Sequence, residues 1–244
     1  MSSTTTTDIA AATGVDAAAV AAGRRIRSVY VYEAPVRVWH WVNALAITVL
    51  AVTGYFIGRP LPTMPGEASS QFLMGYIRFA HFAAGYVFAV GLAARLYWAV
   101  VGNHHARELF TLPVFTGAYW REVLTMLKWY GFLIPRPGQY VGHNPLARMA
   151  MFFGFLWLSL FMVCTGFALY GEGLGLGSWA SNLFGWVIAA VGGNSQQVHA
   201  WHHMGLWVTL IFVMVHIYAA IREDIMSRQS LISTMISGWR MFKD

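Results

Sequence analysis

The chain has 244 residues, of which 57% are hydrophobic and 11% charged, against roughly 25% charged in a soluble domain. That composition excludes an ordinary water-soluble globular protein and points to apolar helices in a lipid bilayer. The formal net charge of +6 comes from 16 Lys and Arg against 10 Asp and Glu, but the basic residues fall in loops and tails, so they report topology and not a nucleic-acid partner.

In chain order, residues 1–28 are small and polar, with no basic segment leading into an apolar run. They read as a disordered N-terminal tail and not as a signal peptide. Residues 29–244 form the membrane domain. A hydrocarbon core of about 30 Å needs about 20 apolar helical residues, and four stretches supply them: 38–57, 79–101, 149–170 and 204–221. Two further stretches fall short. Residues 113–132 contain Arg121, Glu122 and Lys128, and residues 179–191 are too few; both are expected to be helices lying at the membrane interface. The predicted fold is therefore all-α, a four-helix integral-membrane bundle with interfacial helices.

The connections set the orientation. The N-terminal tail carries Arg24, Arg25 and Arg27, the middle loop Arg107, Arg121, Lys128, Arg136 and Arg148, and the C-terminal tail Arg222, Arg228, Arg240 and Lys243. The first loop has Arg59 and Arg78, and the stretch 171–198 has no Lys or Arg. Both termini and the middle loop are thus expected on the cytoplasmic side.

Histidines mark the candidate site. Cys164 is the single cysteine, so no disulfide framework and no cysteine-ligated metal centre can be built from this chain. From His202 to His216 a helix turns about 1400°, about 40° short of four full turns, and rises about 21 Å. His199 and His203 are offset from the His216 face by about 100° and 140°, which selects His202. Given the direction of each span, His202 falls at the depth of His81, near the external start of the second span. His216 falls at the depth of His40, near the cytoplasmic start of the first.

An ionisable residue inside a membrane calls for a partner. Two depth-matched pairs, His81 with His202 and His40 with His216, are what two bis-histidine haems b between the helices require; singly, each histidine could instead bond a neighbouring helix. Gly54 and Arg95 each follow a histidine by 14 residues, Gly54 after His40 and Arg95 after His81. Gly54 either makes room for the external haem or serves ordinary helix packing. Arg95 either offsets a propionate charge on the cytoplasmic side or snorkels. His104, His105 and His143 read as loop residues in water. His199 and His203 read as external, facing a partner or a propionate.

The segments RVWHWVNALAITVLAVTG, HAWHHMGLWVTLIFVMVH and GHNPLARMAMF carry a resemblance to the b-type cytochrome subunit of membrane-bound nickel–iron uptake hydrogenases, over about residues 30–239. The resemblance implies haem ligation by His40, His81, His202 and His216. It also implies a place in the bacterial inner membrane beside a large nickel–iron and a small iron–sulfur subunit, and electron delivery to quinone. Hydrogen activation would then lie in the partner subunits, in keeping with the lack of a catalytic constellation here. By similarity to the formate dehydrogenase cytochrome subunit, quinone would meet His143, Asn144 and Arg148 near the cytoplasmic haem, although Asn144 before Pro145 also reads as a helix start. A formate dehydrogenase subunit, the subunit of another periplasmic oxidoreductase, and a haem-free anchor or transporter are the alternatives.

Overall fold

The computed structural model describes residues 26–62, 66–67, 71–135, 138, 140–227 and 229–243. In chain order it contains β1 (Ile26–Tyr30), α1 (Ala34–Gly58), α2 (Leu73–Val101), the short α3 (His104–Arg107) and α4 (Gly117–Tyr130). Then come α5 (Pro145–Ala150), a π-helical segment (Met151–Trp157), α6 (Leu158–Leu174), α7 (Trp179–Phe184) and α8 (Trp186–Ala190). The chain ends with α9 (Ser195–Met226), α10 (Leu231–Ser237) and β2 (Trp239–Lys243).

Four helices among the described residues are long and apolar enough to span a membrane: Ala34–Gly58, Leu73–Val101, Pro145–Leu174 and Ser195–Met226. Each overruns the span expected from sequence, because a helix does not stop where the hydrocarbon does. At 32 residues and about 1.5 Å per residue, α9 is longer than the apolar core. Its ends carry Gln196 and Gln197 on one side and Arg222, Glu223 and Asp224 on the other. Leu45, Val52, Val90 and Ile211 are exposed on the helices, as lipid-facing residues must be when the backbone satisfies its own hydrogen bonds.

The chain folds as two compact units. One comprises Trp39–Tyr97 and Phe153–Val213. In it the middle stretches of α1, α2, α6 and α9 pack as a bundle, with Tyr86 against Phe167 (5.4 Å between ring centroids) and Tyr55 against Trp207 (6.4 Å). The stretch expected as one interfacial helix over residues 179–191 is two short helices, broken at Gly185, a poor helix former whose N–H bonds back to the Ser181 carbonyl at 2.9 Å. They cover Ala168 of α6 with Val187, together with Val198 of α9, in a buried apolar cluster.

The other unit comprises Met1–Val38, Trp98–Phe152 and Met214–Asp244. Strands β1 and β2 pair antiparallel, Tyr30 opposite Trp239. The strand takes in Ile26, Arg27 and Ser28, which the sequence left in the N-terminal tail; the rest of that tail lies outside the described residues. Gly238 makes the pairing possible: its φ of 88° is open to glycine at little cost, and its carbonyl accepts the Val31 N–H at 2.8 Å. Helix α4 is amphipathic, as residues 113–132 suggested. Tyr119, Val123, Met126 and Trp129 are buried on one stripe, while Arg121, Glu122 and Lys128 occupy the remainder. Arg222 is buried with its guanidinium 4.3 Å from the Trp129 ring centroid, and it donates to the Trp129 carbonyl at 3.0 Å. Burial, then the neighbouring Glu223 charge, pushes the Tyr130 hydroxyl up to about 12.

Candidate functional site

A cavity of about 1170 Å³ lies among α1, α2, α6 and α9, with His81 and His202 in its wall. The two imidazoles face each other with ring centroids 6.4 Å apart and planes crossed at 78°. Neither ring is held by chance. The Thr53 hydroxyl of α1 donates to the Val49 carbonyl at 2.6 Å, which spends its one proton. Its oxygen, 2.9 Å from His81 Nδ1, is therefore left to accept, and the imidazole carries its proton on Nδ1. The same arrangement recurs across the bundle. Thr165 of α6 donates to the Phe161 carbonyl at 2.7 Å and lies 2.8 Å from His202 Nδ1.

The glycine after each threonine clears the space. A Cβ at Gly54 would stand 3.2 Å from His81 Cε1, and one at Gly166 would stand 3.3 Å from His202 Cε1. The result is two imidazoles with Nδ1 occupied as donor and Nε2 left for something else. A metal-ligating histidine is commonly held this way, its other ring N–H donated to a neighbouring oxygen that fixes the ring and the tautomer. A metal–imidazole bond of about 2 Å on each side, plus roughly 1 Å from each nitrogen to its ring centroid, spans about 6 Å, close to the observed separation. The donors, the spacing and the glycine-relieved cavity all fit an iron held between two imidazoles.

The family identification rests on most of the chain. The profile described as prokaryotic cytochrome b561 matches residues 31–238. The chain belongs to the prokaryotic cytochrome b561 family. Among its relatives, a protein of Cupriavidus necator named probable Ni/Fe-hydrogenase B-type cytochrome subunit is 66% identical over 236 residues, 97% of this chain and 96% of that protein. One of Bradyrhizobium diazoefficiens with the same name is 61% identical over 237 residues, 95% of this chain and 96% of that protein. One of Escherichia coli, named probable Ni/Fe-hydrogenase 1 B-type cytochrome subunit, is 50% identical over 219 residues, 88% of this chain and 91% of that protein. A cytochrome b561 is a multi-pass helical membrane protein, and a b-type cytochrome carries haem b.

The remaining expected residues of this cytochrome b561 chain are placed as follows. His40 is half-buried beside Trp41, ring centroids 5.0 Å apart, and Arg95 is buried with its guanidinium 5.5 Å from the Trp39 ring centroid. His216 is half-buried and belongs to the other unit. His143, Asn144 and Arg148 also lie in that unit, in one polar cluster. Asn144 caps α5 by accepting from the Ala147 N–H at 2.7 Å and donates through Nδ2 to Glu223 at 2.8 Å. Arg148 donates to the carbonyls of Glu108 at 3.1 Å and Thr111 at 2.7 Å. The sequence reading missed Thr53, Thr165 and Gly166, although the Thr-Gly pair recurs at 53–54 and 165–166.

His105 and His143, read from sequence as solvated loop residues, are partners of the buried Glu108. Its carboxylate accepts from His105 Nδ1 at 2.6 Å, from His143 Nδ1 at 3.1 Å and from the His143 N–H at 3.0 Å. Burial alone would raise the Glu108 carboxyl. The bonds from His105 and His143, with the His143 charge, outweigh it and hold the group well below the usual carboxylate range. A depressed folded value contributes stability that is present in full above the unfolded carboxyl value, about 4.3. The contribution is lost as pH falls from there toward the folded value. Thermal unfolding of the purified chain should therefore show an acid limb below about pH 4.5, and Glu108→Gln should make that limb shallower while lowering stability at neutral pH.

Proposed function

We propose that this chain is the dihaem cytochrome b subunit of a membrane-bound nickel–iron hydrogenase. In that role it passes electrons from the iron–sulfur subunit, on the external face, across the membrane to quinone. The observation that carries the reading is the His81/His202 pair, fixed by Thr53 and Thr165 in the tautomer that leaves both Nε2 atoms for iron. Support for the partners comes from relatives that bear the hydrogenase name and align with this chain over nearly its full length.

His81 and His202 are assigned to the external haem, and His40 and His216 to a second haem on the cytoplasmic side. For the second pair the support is the spacing of His216 from His202 on one continuous helix, α9. Haem b supplies one-electron redox chemistry when bound, and the chain's own residues hold and orient it. Gly54 gives the His81 ring its place. Arg95 balances negative charge on the cytoplasmic side, its guanidinium steadied over Trp39.

Quinone is assigned to the neighbourhood of His143, Asn144 and Arg148. The helix cap of Asn144 and the carbonyl bonds of Arg148 shape that loop, and His143, with 29% of its side chain exposed, is the residue we place against the quinone. The distribution of Lys and Arg supports termini in the cytoplasm and a site in the bacterial inner membrane. A reduced-minus-oxidised spectrum of the purified subunit with a pyridine haemochrome count is the test. Two low-spin haems b per chain are expected, and a haem-free chain would sink the assignment.

A further inference from the structure

We infer that Thr53 and Thr165 are paired positioning residues that set the ring planes and the basicity of the external haem's two ligands. The inference rests on the proposed assignment of His81 and His202 as those ligands.

The two threonines share their placement and bonding, although His81 also reaches the Leu50 backbone and His202, among the described residues, bonds only Thr165. Each sits on a helix neighbouring the ligand helix, Thr53 on α1 beside α2 and Thr165 on α6 beside α9. Each is buried. Each is fixed in its own rotamer by donating to the carbonyl four residues earlier, at 2.6 and 2.7 Å. Each then accepts from a histidine Nδ1 at 2.9 or 2.8 Å, and each precedes the glycine that lets the ring approach. A hydroxyl whose proton is committed to the backbone cannot turn to donate. The imidazole must aim its N–H at a fixed oxygen, and that removes its freedom to rotate about the Cβ–Cγ bond.

Two consequences follow for a bound iron. The first concerns the planes, which cross at 78°. When two axial imidazoles are nearly perpendicular, their π-interactions fall on different iron d orbitals and leave the two nearly equal in energy. A ferric low-spin centre then shows a strongly anisotropic magnetic resonance signal in place of the rhombic one that parallel rings give. The second concerns basicity. An acceptor on Nδ1–H makes the imidazole a stronger donor through Nε2, which stabilises the ferric state and lowers the potential, one of the levers open to a haem protein. Bulk does not explain the pattern, since valine would fill the same space.

The test uses the purified full chain with Thr53→Val, Thr165→Val, Thr53→Ser and Thr165→Ser. Its readouts are haem per chain, low-temperature magnetic resonance of the ferric state, and a redox titration. The valine variants are expected to keep the haem, to raise the potential of one of the two haems and to shift its anisotropic signal toward a rhombic one. The serine variants, which keep the hydroxyl, should return both readouts to the parent's. Loss of the haem in a valine variant with retention in the serine variant also supports the clamp. Loss in both, or a valine variant with the parent's signal and potential, overturns it. His81→Ala separates the two failures: a full haem complement there defeats the ligand assignment itself, while a silent threonine beside a ligand-dependent haem defeats the clamp alone.

Discussion

Under the proposed two-haem assignment, replacing His202 with alanine is expected to halve the haem content of the purified chain, leaving the second proposed haem in place and low-spin. The size of the effect follows from the coordination. Two imidazoles face each other across the cavity, and removal of one would leave an iron held there a single protein ligand in an apolar pocket and would leave Thr165 without the N–H it accepts. Outer-shell partners alone are commonly worth a factor of 10 to 100 in metal affinity, and loss of a ligand exceeds that. The neighbouring histidines cannot substitute. His203 Nε2 already accepts from the Trp207 indole N–H at 3.2 Å, and its ring lies where a Cβ on Gly58 would approach to 2.9 Å. His199 is exposed and, three residues before His202 on α9, points about 60° away from its face. His203→Ala should accordingly keep the full haem complement, with the same haemochrome count serving both variants. A His202→Ala chain that retains both haems would falsify the pairing.

What the sequence reveals about this site, and what it hides, divides along a physical line. Helical period and rise relate residues of one chain segment, so the choice of His202 over His199 and His203 needed only counting along α9. Depth in the membrane relates segments that share a boundary, and that was enough to put His81 level with His202. Thr53 and Thr165 were out of reach of either rule. Their role depends on how far α1 is rotated toward α2 and α6 toward α9, which is a matter of packing between helices and has no period in the sequence. Gly54 was legible as a small residue on a ligand face, for the external haem or for helix packing; what the sequence left out is that a Cβ there would meet the His81 imidazole. The loop residues went the other way. Asn144 was legible as a cap because Asn before Pro is a local signal. The burial of Glu108 between His105 and His143 is a contact across 35 residues, and composition alone made those histidines look solvated.

Gly54→Val is expected to expel the haem proposed between His81 and His202, whereas Gly54→Ala is expected to keep it. A lone Cβ at this position stands 3.2 Å from His81 Cε1, tighter than ordinary contact, and the ring can yield by a few tenths of an ångström without leaving Thr53. Valine adds two methyl groups to a stiff, branched Cβ in a helix that permits it essentially one rotamer. Overpacking of this kind costs about 1 to 3 kcal/mol in a well-packed interior, and the imidazole relieves it by swinging aside. That motion breaks its bond to the Thr53 oxygen and turns Nε2 away from the position opposite His202. The haemochrome count should then fall by half in Gly54→Val and stay at the parent's level in Gly54→Ala. Gly166→Val should behave as Gly54→Val does, because a Cβ there meets His202 Cε1 at 3.3 Å. Gly117→Val is the control on α4, since a Cβ at Gly117 meets nothing within 4 Å and Gly117 is not part of the cavity wall, so it should leave the haem untouched. Full haem content in both Gly54→Val and Gly166→Val would mean that the two rings have room to spare, and that the glycines serve the helix contacts and not the ligands.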